Sequence, residues 1–170
     1  MSDNNAAQTV QYLTFTLDQE LYAIRVFKVR EVLEVRKITK VPRMDDFMRG
    51  VINLRGGVVP VADLRLKFNM PEVESDINTS IVVTEVCFDG NSMVVGILVD
   101  SVQEVIELLP EHIQEPPKVG TSLDMNFMEG MGKKNEEFII IIDIDKVFSA
   151  EEIDTVRESI PDNERESEEN

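Results

Sequence analysis

Few side chains in this 170-residue chain have the type and spacing to do chemistry. Asp63 and Asp143 each precede a short apolar stretch. Paired carboxylates can act as acid and base, but each of these also suits the N-cap of a short helical turn, and capping is the reading kept. Gly130-Met131-Gly132-Lys133-Lys134 lacks the spacing and the hydroxyl residue of a phosphate-binding loop. Cys87 is the single cysteine, which excludes an internal disulfide and a cysteine-built metal cage; in the run Ile81 to Phe88 a buried, inert thiol is expected. His112 is also alone, with no nucleophile motif to join, and is expected at the surface. No cofactor is implied, and the chain is not expected to be an enzyme. Arg55 is different. It is a fixed cation in Arg55-Gly56-Gly57, between the apolar runs Val51 to Leu54 and Val58 to Ala62, where it can recognise a carboxylate or a carbonyl. The plainer alternative is a solvated turn arginine.

The elements that would hold these residues are mostly strands. Val51 to Leu54 and Val58 to Ala62 form a hairpin whose turn uses glycine, and Pro60, which cannot donate to a ladder, suggests a sheet edge for its strand. The pattern then repeats. Val29-Arg30-Glu31-Val32-Leu33-Glu34 recurs as Val102-Gln103-Glu104-Val105-Ile106-Glu107, and Met48-Arg49-Gly50 and Asp63-Leu64 recur as Met128-Glu129-Gly130 and Asp143-Ile144. Two copies of one small β unit follow. Each has a hairpin (Tyr12 to Ile24, or Ile81 to Val99), a Val-x-Glu-Val segment read as a helical turn running into a strand, a proline-bearing loop and a closing hairpin. About five short strands per copy suit a small closed barrel. The expected layout is a flexible N-terminus over 1–10, a first barrel lobe over 11–75, a second over 76–148, a C-terminal helix over 149–160 and a disordered acidic tail over 161–170. Ser149-Ala150-Glu151-Glu152 reads as a capping box, with Ile153, Val156 and Ile160 at helical spacing.

Charge narrows the partners. The chain carries a formal −16, of which −7 lies in residues 151–170, so both parts repel phosphate backbones and anionic lipid. Polar residues at the start and no long apolar run imply a protein that stays in the cytoplasm without membrane insertion. The copies differ at their closing turns: Arg55-Gly56-Gly57 reads as tight, whereas Gly132 to Glu137 reads as longer and solvated. If Arg55 served only the fold, the second copy should have a counterpart.

Gly50-Val51-Ile52-Asn53-Leu54-Arg55-Gly56, followed by Val59-Pro60-Val61 and Asp63-Leu64-Arg65, resembles the signature of the CheW-like chemotaxis adaptor family. The likeness continues through Val95-Gly96-Ile97-Leu98-Val99-Asp100-Ser101-Val102 and spans about Gln11 to Ala150. It implies a mainly β protein of two packed five-stranded SH3-like barrels with short helical turns. The implied function is a non-catalytic adaptor coupling the cytoplasmic tips of methyl-accepting chemoreceptors to the regulatory domain of the chemotaxis histidine kinase. The free protein would be a monomer recruited to membrane-associated receptor arrays. On the family pattern the receptor-binding residues are Val29, Glu31, Arg55, Ile81, Gly96, Val102 and Val105. The kinase side falls at Gly57, Val58 and Val59, which the reading puts at the opposite strand end, with a second lateral contact at Ile113, Gln114 and Val119. Alternatives are an adaptor of another motility pathway or, from a different class, a free-standing ligand-binding or nucleic-acid-binding β-barrel. The latter is disfavoured by charge and by the absence of tryptophan. An enzyme with a substrate-assisted mechanism has no motif in its favour.

Overall fold

The computed structural model describes residues 8–115 and 125–159. Among these residues ten strands lie in chain order: β1 (Val10–Leu17), β2 (Glu20–Arg25), β3 (Val29–Glu34), β4 (Met48–Leu54), β5 (Gly57–Asp63), β6 (Ser80–Phe88), β7 (Asn91–Val99), β8 (Ser101–Leu108), β9 (Met128–Lys134) and β10 (Glu137–Ile142). Two helices follow β5 and β10: α1 (Leu64–Lys67) and α2 (Ala150–Ser159). The strands form two five-stranded sheets, ordered β3-β6-β7-β5-β4 and β8-β1-β2-β10-β9, here called the first and second barrels.

Neither barrel is a continuous stretch of chain. Hairpin β1–β2 joins the barrel built from β8, β9 and β10, while hairpin β6–β7 joins the one built from β3, β4 and β5. This corrects the division at residue 75. The repeat itself holds: exchanging β1 to β5 for β6 to β10 turns one strand order into the other, so each copy lends its hairpin to its sibling. Registers agree residue by residue. Val61 pairs with Gly96 in parallel in one barrel and Ile141 with Ala23 in the other.

Alternation explains the lending. In β1, Tyr12 points into the second barrel while Leu13, Phe15 and Leu17 point outward; in β7, Leu98 points into the first barrel while Val95, Ile97 and Val99 point outward. The outward rows meet in one core between the barrels, much larger than the core inside either. Such strands are buried on both faces, which is why Val94 to Val99 and Ile139 to Ile142 read as unbroken apolar runs. Phe68 lies 4.5 Å from Phe127, ring centroid to centroid and stacked, so the shared core ties the two barrels together.

Each sheet closes where the chain after its first edge strand returns to its last. Thr39 exchanges two 2.8 Å backbone hydrogen bonds with Val51, and Gln114 does the same with Met131. Gly50 sits beneath the first seam at φ +137°, where a Cβ would lie 2.1 Å from the Thr39 carbonyl oxygen. Val51 spends both backbone groups on Thr39, so its pair with Pro60 is one of the non-hydrogen-bonded pairs of the ladder. Pro60 is therefore tolerated in an interior strand, not on the edge expected. Its nitrogen faces β7, and pairing with β7 begins only at Val61, whereas β10 already pairs with β2 at Ile140, the position equivalent to Pro60.

Several local expectations change. The four hairpins turn through Asp18-Gln19, Arg55-Gly56, Asp89-Gly90 and Asn135-Glu136, all at positive φ, so the second closing turn is as tight as the first. The single-turn helix precedes Val29 over Val26–Lys28, and Ser101–Leu108 is strand throughout. Cys87 is exposed, because it lies on the barrel-facing side of β6, where the buried row ends at Val83, while Val86 and Phe88 on the other face still meet the shared core. Both expected caps form: Asp63 accepts from the Arg65 and Leu66 amides, and Asp143 from that of Asp145. Ser149 and Glu152 cap α2 reciprocally, and Ile153 and Val156 are buried. The acidic tail, Ile160 and most of the expected flexible N-terminus fall outside the described residues.

Candidate functional site

Arg55 takes a left-handed conformation at φ +52°, the turn position filled by Asn135 (φ +49°) in the other copy. Asparagine tolerates that region better than arginine does, so the arginine serves its side chain rather than its backbone. Its guanidinium grips Glu31 with both nitrogens, Nη1 to Oε2 and Nη2 to Oε1 at 3.2 Å. Glu31 stands on β3 and Arg55 follows β4, the two terminal strands of the first sheet, so the pair crosses the seam of the barrel. The hydrogen bond to Glu31 and then its charge raise the Arg55 pKa, keeping a permanent cation whose side chain remains 74% exposed. The next residue on β3, Val32, is apolar and exposed.

The second barrel has its own version, which sequence comparison missed. Glu104, equivalent to Glu31, pairs with Lys134 at 2.9 Å across the corresponding seam. The cation has moved one position into the strand, from the place of Arg55 to that of Leu54, so alignment by turn residues does not find it. Closing the seam is thus a task both copies perform, and the doubled hydrogen bond and greater exposure distinguish Arg55.

The other anticipated receptor-side residues divide by depth. Val29 and Val102 are half-buried against the shared core, and Val105 is exposed. Ile81 is wholly buried, and Gly96 packs on it so closely that a Cβ would lie 2.8 Å from Ile81 Cγ2. These two shape the wall behind β3 and do not form surface. Gly57, Val58 and Val59 open β5 directly after the Arg55 turn, at the same end of the hairpin and not the opposite one, and Val59 faces the barrel interior. Ile113 and Gln114 lie at the closing bridge of the second barrel; Val119 is outside the described residues.

Two ionic joints hold the barrels at the crossovers. At the exit of β7, Arg65 donates from Nε and Nη2 to the two carboxylate oxygens of Asp100, each at 2.7 Å, and the Asp18 amide donates to Asp100 at 2.8 Å. The hydrogen bond to Asp100 raises the Arg65 pKa, burial opposing it. At the exit of β2, Lys28 meets Asp145 at 2.9 Å, and the Cys87 amide donates to Asp145 at 2.8 Å. Burial lowers the Lys28 pKa, but the hydrogen bond and charge of Asp145 raise it further. Asp63 is buried, which raises its pKa against the lowering by Arg49 and the capped amides.

Among the described residues no histidine, cysteine or carboxylate cluster could hold a metal, and no helix is long and apolar enough to cross a membrane. Asp63 and Asp143 are each engaged in capping, and Gly130 and Gly132 are strand residues. Two sheets curled into SH3-like barrels, each closed by an ion pair at its seam, define a paired-barrel β module. Residues 11–152 match the model of the CheW-like domain. The chain is 38% identical over 150 residues to the chemotaxis protein CheW of Klebsiella aerogenes, covering 87% of this chain and 88% of that one. It is 31% identical over 159 residues to the CheW of Thermotoga maritima, covering 92% and 97%. A crystal structure of the scaffolding protein TtCheW from Thermoanaerobacter tengcongensis superposes with a TM-score of 0.76 at 34% identity, over 85% of this chain and 96% of that one. The chain belongs to the CheW-like family of chemotaxis adaptors.

Proposed function

We propose that this protein is a non-catalytic adaptor coupling the cytoplasmic tips of methyl-accepting chemoreceptors to the regulatory domain of the chemotaxis histidine kinase. It works in the cytoplasm, recruited to membrane-associated receptor arrays. The observation that carries the reading is family membership over nearly the whole folded body, joined to an exposed, doubly hydrogen-bonded Arg55–Glu31 pair beside the apolar Val32. A helical receptor tip would lay an apolar stripe along Val29, Val32, Val102 and Val105, and Arg55 would trade Glu31 for an acid or helix-end carbonyl of the receptor. Ile81 and Gly96 support that wall from behind. The kinase side lies at Gly57, Val58 and Val59, with Ile113, Gln114 and Val119 making a second lateral contact to kinase or to another adaptor. Binding two partners at once lets modest separate affinities combine through local concentration.

Reconstituted receptor membranes with kinase test this. Arg55→Ala is expected to unfold at nearly the same denaturant concentration as the parent, since an exposed pair contributes little, and to leave kinase activity unresponsive to receptor ligand. Unchanged control by ligand, or loss of the fold, would overturn the role of Arg55.

A further inference from the structure

The pseudo-symmetry sets two recesses in corresponding places, one beside each ionic joint. Asp63, Arg65, Leu98 and Asp100 line one; their equivalents Asp143, Asp145, Arg25 and Phe27 line the other. The chain itself covers the first. The linker after α1 crosses it with Val73, Glu74, Ser75 and Thr79 in the lining, held where Arg65 donates to the Pro71 carbonyl at 3.1 Å and Arg49 meets Glu72 at 3.1 Å. Among the described residues the lining of the second recess comes from the strand ends and short turns, and an open volume of about 180 Å³ remains.

The charges that hold the linker are reversed there. Arg49 and Arg65 become Glu129 and Asp145, with Asp143 between them. Phe27 takes the place of Asp100 and stands 74% exposed at the mouth. Arg25 and Lys28 neutralise Glu129 and Asp145 in part, leaving a net acidic, aromatic-edged recess. We infer that this recess is a docking site for an extended segment of another protein carrying basic residues beside an aliphatic one. The segment would lie as the acidic linker lies in the first recess, its cations on Glu129 and Asp143 and its aliphatic side chain or lysine stem against Phe27.

The probe is the linker with its charges reversed: the hexapeptide Met-Pro-Lys-Val-Lys-Ser in place of Met-Pro-Glu-Val-Glu-Ser. Amide shifts of the full-length isotope-labelled protein are followed by NMR at 0.15 M salt. The basic peptide is expected to shift Phe27, Lys28 and Asp145, and the acidic peptide to leave them unmoved. Phe27→Ala, which removes an exposed ring and spares the fold, is expected to weaken binding about tenfold, as is replacing the peptide valine by serine. Shifts spread over the acidic surface would mean general attraction to a chain of charge −16, and would overturn the site. So would affinity indifferent to Phe27→Ala.

Discussion

At the exit of β7 a carboxylate, Asp100, meets the guanidinium of Arg65; at the exit of β2 a cation, Lys28, meets Asp145, which stands where Arg65 stands. The two crossovers therefore carry joints of opposite polarity, with Lys28 one residue beyond Phe27, the position equivalent to Asp100. The inversion has a further consequence for assembly. Were each hairpin to stay with its own copy, Lys28 would face Arg65 and Asp100 would face Asp145, like charge against like. The exchanged arrangement brings opposites together, so the joints help select it over the unexchanged one.

The seams give the largest expected difference between halves. Gly50→Ala forces a Cβ into the Thr39 carbonyl at a positive φ and should cost about 4 kcal/mol. Gly130→Ala, whose Cβ would lie 2.8 Å from the Gln114 carbonyl oxygen and 2.5 Å from Ile113 Cγ2 without the positive φ, should cost about 2 kcal/mol; urea denaturation of the two variants compares them. Equal losses would show that neither the closer carbonyl nor the φ of Gly50 adds to the cost. At the joints, Arg65→Met strands a largely buried carboxylate and should cost about 3 kcal/mol. Lys28→Met leaves Asp145, which is more open to water, and should cost about 1 kcal/mol.

A third contrast is alkaline. Tyr22 in β2 corresponds to Val95 in β7, so only one half carries a phenol at that place. Burial, reinforced by the charges of Glu20 and Asp18, pushes Tyr22 up from 10 to about 12. Its neutral form is the one the fold keeps, so the unfolded chain releases the proton first. Stability is intact below pH 10 and falls between 10 and 12, by about 2 kcal/mol. Tyr22→Phe should flatten that part of the pH profile measured by denaturation. Arg65→Asp with Asp100→Lys gives both joints the same polarity. Native stability should fall by about 2 kcal/mol, because the introduced lysine cannot accept from the Asp18 amide nor the introduced aspartate donate to the Pro71 carbonyl, while refolding should lose yield or gain a slow phase as the unexchanged hairpins cease to repel. Unaltered refolding would show that the charges do not choose the partner.

Much of this was readable in the residues. The turn pairs, the caps Asp63 and Asp143, the Ser149–Glu152 box and the duplication are local or periodic, and local stereochemistry fixes them whatever surrounds them. Arg55 stood out by type and place and Glu31 was named on the family pattern, but their pairing was not legible, since the two lie 24 positions apart and meet only when the sheet curls. The Lys134–Glu104 pair was hidden similarly, by a one-residue offset between strand and turn. Cys87 was misread because β6 is apolar almost to its end, while the barrel-facing row to which Cys87 belongs is buried only as far as Val83.

The sequence by itself determined the β class, the two copies, three of the four tight turns and the acidic character, because side-chain alternation, turn stereochemistry and charge act within a few residues of the chain. Which hairpin joins which barrel, why Pro60 sits in an interior strand, and that one recess is covered while its twin stands open were decided only in three dimensions. Both faces of the central strands are apolar, so their pattern says that they are buried and not against what; the shared core and the opposed polarity of the joints supply the answer.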